Sequence, residues 1–299
     1  MLRGWARPSV RRSGFDPLSN PIRPIDSASR RRIIEHIRNK WPEIMGAQLE
    51  KIERLRAFLP LSEEPRRLMP SGHPAVDTAL GGGIRCGALH EVFAGEPGHE
   101  TAAAGFALGL ASRVASNKAL LWIRQDFAAL ETGDISATGL LELGMDPARV
   151  FLFRAAHVED ALRAAGEGLA CASLGALILE TWGESKLLDL SLSRRLTLAA
   201  ARHGVTVIHM HTHATPSTSA AETRWIVRAG ASPANTENWG MPVFDASLAR
   251  NRHGTTGQWV MEWNADDGVF RETAHPRPLV AAPFNRQAAA AMEPRRRIG

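Results

Sequence analysis

Residues 89–104 read LHEVFAGEPGHETAAA, and this stretch decides the fold. The apolar run Leu89–Phe93 predicts a buried strand, which ends at the turn Ala94-Gly95-Glu96-Pro97-Gly98. The alanine-rich segment from Thr101 to Ala115 then predicts a helix. In a strand, turn and helix of this order, the free backbone N–H groups of the helix N-terminus point toward the turn. Proteins commonly bind anions there.

The turn has the length of a phosphate-binding loop but lacks its lysine. In the motif G-x-x-x-x-G-K-[ST], backbone N–H groups cradle the phosphates, the lysine contacts the β- and γ-phosphates, and the hydroxyl holds Mg²⁺. With Thr101 at the hydroxyl position, Glu100 takes the lysine position and His99 that of the second glycine. A carboxylate there repels a triphosphate, so the sequence predicts a degenerate nucleotide loop formed by Gly95, Gly98, His99, Glu100 and Thr101.

The rest of the chain alternates strands and helices. Apolar runs predict strands at 119–123, 150–153, 176–179 and 205–210, and helices are predicted at 136–144, 158–172 and 187–203. This alternation predicts an α/β fold with a mostly parallel central sheet and helices on both faces. Three later segments, at 226–229, 243–250 and 257–263, predict antiparallel strands joined by turns, which form a late hairpin.

Composition divides the chain into four parts. Residues 1–26 form a basic segment rich in Pro and Arg that we expect to be disordered, and residues 27–69 form a helical segment with a linker. Residues 70–273 form the core that contains the degenerate loop, and residues 274–299 form a flexible tail. The helices of residues 27–69 precede the core and are a candidate surface for self-association or partner docking. The alternative is that they are buried on the chain's own core. That surface would be formed by Ile33, Ile37, Trp41, Leu55 and Phe58.

Charge and cysteine content limit the class of protein. The 299 residues carry a formal net charge of +5, with arginines concentrated at the two ends. Such ends predict either solvated tails or contacts with nucleic acid or an acidic partner. Only two cysteines are present, which favours a reducing cytoplasm over a disulfide scaffold. No apolar run has transmembrane length and no secretory signal is evident, so we expect a cytoplasmic protein.

Two stretches resemble the core of the RecA/RadA recombinases. Residues 70–92 (PSGHPAVDTALGGGIRCGALHEV) are similar to the segment that leads into the P-loop of that family. Residues 244–254 (FDASLARNRHG) look like its late hairpin. Together they bracket about residues 65–270, so the resemblance implies a RecA-like P-loop core over most of the chain.

The resemblance also indicates which residues stand at the active positions. The lysine position is held by Glu100 or His99, and Gln125 stands where a catalytic glutamate follows the second strand. Glutamine cannot accept a proton at neutral pH. The Walker B acid is matched by Glu180. The resemblance therefore implies a protein that does not hydrolyse ATP and needs no cofactor.

Among RecA-like chains, this one most resembles the ImuA family of the RecA/SulA superfamily. The full-length core and the added N-terminal helices favour ImuA over the shorter SulA. The resemblance implies a non-catalytic scaffold of SOS-induced translesion DNA synthesis in the bacterial cytoplasm, associated with the nucleoid when induced. The implied partners are an ImuB-like protein related to Y-family polymerases, an error-prone replicative polymerase reached indirectly, RecA or a second copy, and DNA, with no membrane partner.

Two other functions remain open. An atypical ATP-dependent DNA-binding ATPase would use Glu180 for Mg²⁺ and a cation from elsewhere, such as Lys118 or Arg124. A SulA-like inhibitor of cell division would instead bind a polymerising GTPase.

Several side chains are candidates for contacts with DNA or a partner. A basic stripe is predicted from Arg224, Arg228, Arg250, Arg252 and His253, with scattered solvated cations as the alternative. Residues 212–222 (THATPSTSAAE) are placed like the mobile DNA-binding loop of a recombinase, with an ordinary surface loop as the alternative.

The aromatic and imidazole side chains give further candidates. Strand alternation predicts that His209, His211 and His213 share one face, which suits a DNA- or partner-facing loop, a metal pair or an ordinary strand end; we expect no metal. Trp182 and Trp239 lie where ligands approach an α/β sheet, and Trp182 is predicted to fill the vacated nucleotide pocket.

Overall fold

The computed structural model describes residues 67–232 and 240–273. The segments 1–26 and 274–299, most of the segment 27–69, the docking residues from Ile33 to Phe58, and Trp239 lie outside the described residues. No helix in the described ranges is long and apolar enough to cross a membrane.

The described chain alternates strands and helices as the apolar pattern predicts. The strands are β1 (Leu68–Met69), β2 (Ile84–Arg85), β3 (Leu89–Ala94), β4 (Ala119–Gln125), β5 (Val150–Ala155), β6 (Leu174–Trp182), β7 (Thr206–Thr212), β8 (Thr223–Ala229), β9 (Val243–Asn251), β10 (Gly257–Asn264) and β11 (Val269–Glu272). The helices are α1 (Pro74–Ala79), α2 (Glu100–Ala115), α3 (Asp126–Thr132), α4 (Ala137–Glu142), α5 (Val158–Leu169) and α6 (Leu190–His203), with a 3₁₀ turn at Pro147–Arg149.

Nine strands form the central sheet in the order β11-β10-β9-β8-β3-β7-β6-β4-β5, and β1 pairs with β2 separately. Strands β3 to β8 are parallel, whereas β9, β10 and β11 follow as antiparallel neighbours. The expected α/β fold with a mostly parallel sheet and a late hairpin is confirmed. One detail differs, because β8 pairs in parallel with β3 and belongs to the parallel part of the sheet.

Alternating side chains of the buried strands build two cores, one on each face. On β6, Ala176 and Ile178 face α2, whereas Leu177 and Leu179 face α5 and α6. Helix α2 is packed closely because it carries glycine and alanine at its contacts. A Cβ on Gly109 would lie 2.7 Å from Phe270, so the C-terminal strands approach this helix only because the side chain is absent.

Candidate functional site

The degenerate loop joins β3 to α2 at the carboxyl edge of the parallel strands, and Glu100 is the first residue of α2. Its carboxylate is buried, with a relative exposure of 8%. The backbone N–H of Gly98 donates a hydrogen bond of 2.9 Å to Glu100 Oε2. His213 Nε2 lies 3.0 Å from Glu100 Oε1. A carboxylate of the chain itself therefore accepts an N–H of the loop, as a phosphate oxygen does in an occupied phosphate loop.

Contacts with β8 fix the position of the loop. The N–H of Gly95 donates to the carbonyl of Val227 at 2.8 Å, and the N–H of Ala229 donates to His99 Nδ1 at 3.1 Å. Arg228 Nε lies 3.0 Å from Glu96 Oε1 across the same gap. The loop is thus held by the chain's own groups, whereas Thr101 is exposed at the start of the helix.

Glu180 lies near the carboxyl end of β6 and is almost completely buried. Trp122 Nε1 donates to Glu180 Oε2 at 3.0 Å, and Arg124 Nε lies 3.0 Å from the same carboxylate. Burial raises the pKa of Glu180, an effect that the charge of Arg124 opposes. Both oxygens of the Walker-B-like acid therefore have partners inside the fold.

Gln125 occupies the last position of β4, beside the end of β6. Its Oε1 accepts the backbone N–H of Trp182 at 2.8 Å. The side chain predicted to stand at the position of a catalytic base thus ties the ends of two adjacent strands together, and an amide oxygen is too weak a base to deprotonate a water.

An aromatic row runs along the carboxyl edge next to Glu100. The Trp182 ring stacks on the His213 ring with a centroid separation of 4.2 Å, and Phe127 meets Trp182 edge-on at 5.3 Å. Phe127 is 48% exposed. It was not identified from the sequence as a candidate site residue. Phe127 lies on the short helix α3, which the sequence pattern did not predict. Its apolar side chain was the one sign in the sequence that could have drawn attention to it.

The chain is similar over most of its length to a named bacterial protein. Protein ImuA from each of two strains of Caulobacter vibrioides is 29% identical to it over 255 residues, which cover 79% of this chain and 97% of the relative. This similarity supports assignment of the chain to the ImuA family. No family model matches the chain.

In this ImuA-like chain, two of the three clustered histidines share one face and the third does not. His209 and His211 are buried on β7 with ring centroids 3.7 Å apart. Strand β7 ends at Thr212, and His213 has a φ of 54°, which turns its ring toward Trp182 on the other face. The expectation that all three rings share a face is therefore wrong, because the strand ends before the third.

The buried histidine pair is held in the neutral form. Burial lowers the pKa of His209 to about 3 and that of His211 well below its ordinary value, to which the neighbouring His209 and Arg224 also contribute. His209 Nε2 lies 3.1 Å from Thr181 Oγ1, whereas His211 Nε2 has no hydrogen-bond partner among the described residues. Within the same ranges, no group of three or more His, Cys, Asp or Glu side chains is placed to hold a metal ion.

The ImuA-like chain engages the side chains of its predicted basic stripe in internal contacts. Arg224 is mostly buried and lies 2.7 Å from Glu91, while Arg228 pairs with Glu96. Arg250 donates to the carbonyl of Ser219 at 2.7 Å. His253 lies 3.4 Å from Glu222, and Arg252 donates to Ala220 at 3.5 Å.

These contacts give the stripe a structural role beside any role in binding. Arg224 and Arg250 both reach Ser219, so they fasten the segment after β7 onto strands β8 and β9. The cations suggested as substitutes for the loop lysine are also engaged. Lys118 lies just before β4, at the amino edge of the sheet, and Arg124 is paired with Glu180.

Proposed function

We propose that this chain is a non-catalytic, RecA-like accessory protein of SOS-induced translesion DNA synthesis. It acts as an interaction scaffold that binds an ImuB-like adaptor and, through it, an error-prone polymerase. The similarity to Protein ImuA supports the pathway. The contact of the Glu100 carboxylate with the Gly98 N–H carries the non-catalytic part of the proposal.

The physical argument starts from charge. A phosphate loop binds its anion because N–H groups and a lysine face it together. Here Glu100 brings a negative charge to that place and uses the Gly98 N–H itself. A triphosphate would have to displace the carboxylate and then lie beside it, at an energetic cost that no freed lysine offsets.

The neighbouring groups support the same conclusion. The Glu180 carboxylate is paired with Arg124 and Trp122, so a Mg²⁺ ion would have to break a buried ion pair to bind it. In this proposal, Trp182 and His213 fill the space above the loop that a nucleotide would take. An ATPase that used Lys118 instead would need to bring it from the far edge of the sheet.

Calorimetric titration of the full-length protein with Mg-ATP tests the non-catalytic part. We expect no binding by the unmodified protein, and none by Glu100→Gln, which removes the charge without supplying a cation. Glu100→Lys restores the missing cation and is the variant most able to gain binding, while Glu96→Gln is the control for loss of a loop carboxylate. Micromolar binding of Mg-ATP by the unmodified protein would refute the proposal of a pseudo-ATPase and favour the atypical ATPase instead.

The scaffold part needs a separate measurement. The purified chain should retain an ImuB-like protein from the same organism in a pull-down, without added nucleotide. A polymerising GTPase of cell division serves as the competing bait. Retention of that GTPase but not of the ImuB-like protein would overturn the scaffold and favour a SulA-like inhibitor.

A further inference from the structure

A cavity of about 470 Å³ lies at the amino edge of the sheet, opposite the degenerate loop. Its wall is formed by the start of the parallel strands and by the C-terminal end of α2, including Val114 and Ala115. Gly175 brings the strand β6 against the helix, since a Cβ there would lie 2.6 Å from Ala115 Cα. The floor is therefore small, apolar and rigid.

The rim of the cavity is cationic. Arg67 and Lys118 both line it, and no carboxylate does. The guanidinium of Arg67 makes no hydrogen bond or ion pair with the described residues, and Lys118 Nζ donates only to the carbonyl of Ala172, at 3.1 Å. Unlike Arg224, Arg228 and His253 of the basic stripe, these two lack a carboxylate partner in the described part of the chain.

Two further observations place the positive charge at the cavity itself. Burial raises the pKa of the Cys86 thiol, and the charge of Arg67 opposes this rise, so Arg67 lies near a residue of the wall. The carbonyls at the end of α2 would repel an anion, but Arg149 donates to the carbonyls of Ser116 and Lys118, just after that end, and brings a positive charge there.

We propose that this cavity binds an acidic peptide segment of a partner protein, with one apolar side chain inserted against Val114 and Ala115 and flanking carboxylates on Arg67 and Lys118. An apolar floor with a rim of one charge fits such a segment. A nucleic-acid strand fits less well, because the wall has no aromatic side chain on which a base can stack.

A synthetic probe tests this directly. A fluorescein-labelled peptide GDEFLDEG is titrated with the full-length protein, and polarisation is followed at low and high salt. We expect saturable binding that weakens as salt rises. The peptides GNQFLNQG, without charge, and GDESSDEG, without the apolar residues, should both bind at least severalfold more weakly.

Three variants locate the binding. Arg67→Gln combined with Lys118→Gln should weaken binding of the peptide by roughly two- to thirtyfold, the range expected for loss of two exposed ion pairs. Ala201→Phe, on the exposed side of α6 where it lines the cavity, should fill it and abolish binding. Lys186→Gln removes one positive charge at the opposite edge of the sheet and should leave affinity unchanged. Equal thermal unfolding midpoints verify that the variants are folded.

Several results would overturn the proposal. One is the absence of saturable binding by the unmodified chain, and another is equal loss of affinity in Lys186→Gln. Displacement of the peptide by a single-stranded oligonucleotide would assign the cavity to nucleic acid. Concentration-dependent dimerisation that Ala201→Phe abolishes would assign it to a second copy of the chain. Because this cavity is remote from Glu100, ATP binding would refute the proposed function and leave this inference standing.

Discussion

Arg124 Nε lies 3.0 Å from the carboxylate of Glu180, and the two side chains are only 6% and 2% exposed. Their residues are direct neighbours in the parallel ladder between β4 and β6. Arg124 also donates to the carbonyl of Ala128, at 3.2 Å, and to that of Gly133. Glu180, the acid predicted to match Walker B, is thus part of a network that joins the sheet to helix α3.

Loss of the Glu180 charge should therefore destabilise the fold. Glu180→Gln leaves Arg124 buried without a counter-charge, and we expect a loss of about 3 kcal/mol in the free energy of unfolding, measured in urea. The double variant Glu180→Leu with Arg124→Met removes both charges and should recover most of this loss. A cost below about 1 kcal/mol for the single variant would contradict the network.

Two glycines of helix α2 provide a matched pair of packing tests. A Cβ at Gly109 would lie 2.7 Å from Phe270 and 3.1 Å from Trp263, both buried, so Gly109→Ala should destabilise by about 1–3 kcal/mol. A Cβ at Gly105 would lie 3.5 Å from Phe244, an ordinary contact. Gly105→Ala should be neutral or stabilise by up to about 1 kcal/mol, because alanine favours the helix. Equal effects of the two substitutions on thermal unfolding would show that α2 packs differently.

The buried histidines should make stability sensitive to acid. The pKa of His209 is about 3 in the folded protein, below that of an unfolded histidine, so the unfolded state binds more protons below about pH 6.5. Stability should then fall as the pH falls from about 6.5 toward 3, with a contribution of about 3 kcal/mol from this residue by pH 4. His209→Asn should flatten the curve of unfolding free energy against pH, whereas His157→Asn, at an exposed histidine, should not. Parallel curves for His209→Asn and the unmodified protein would refute this origin.

Glu167 on α5 should have the opposite effect at higher pH. Burial raises its pKa to about 7, so the folded state retains a proton that the unfolded state loses between about pH 4.5 and 7. Stability should fall as the pH rises through this window. Glu167→Gln should be more stable than the unmodified protein by about 1 kcal/mol at pH 8, after allowance for solvent screening, and equally stable at pH 4. Glu142→Gln, at an exposed carboxylate, is the control and should show no difference between the two pH values.

Apart from α3, the apolar pattern was sufficient to predict the order of strands and helices from β3 to β7, because buried parallel strands are apolar throughout and need no partner to be recognised. It did not predict α3, whose seven residues are too few to show a helical repeat. It also predicted that β8 is antiparallel, whereas β8 runs parallel to its neighbour β3. The relative direction of a strand depends on which strand it pairs with, and the apolar pattern does not show that.

The sequence by itself determined that residues 95–101 carry Glu96 and Glu100 but neither lysine nor arginine, because this is a matter of residue type and spacing. Only the tertiary structure decided what those residues do. It brought the Glu100 carboxylate to the N–H of Gly98 and paired Arg124 with Glu180. It also brought Arg224 and Arg250 of the basic stripe to Ser219. The Arg124–Glu180 and Arg250–Ser219 contacts join residues 56 and 31 positions apart in the chain, and strand order and burial fix them rather than local propensity. For the same reason, the two cations at the cavity, which lack a carboxylate partner among the described residues, became visible only in the folded chain.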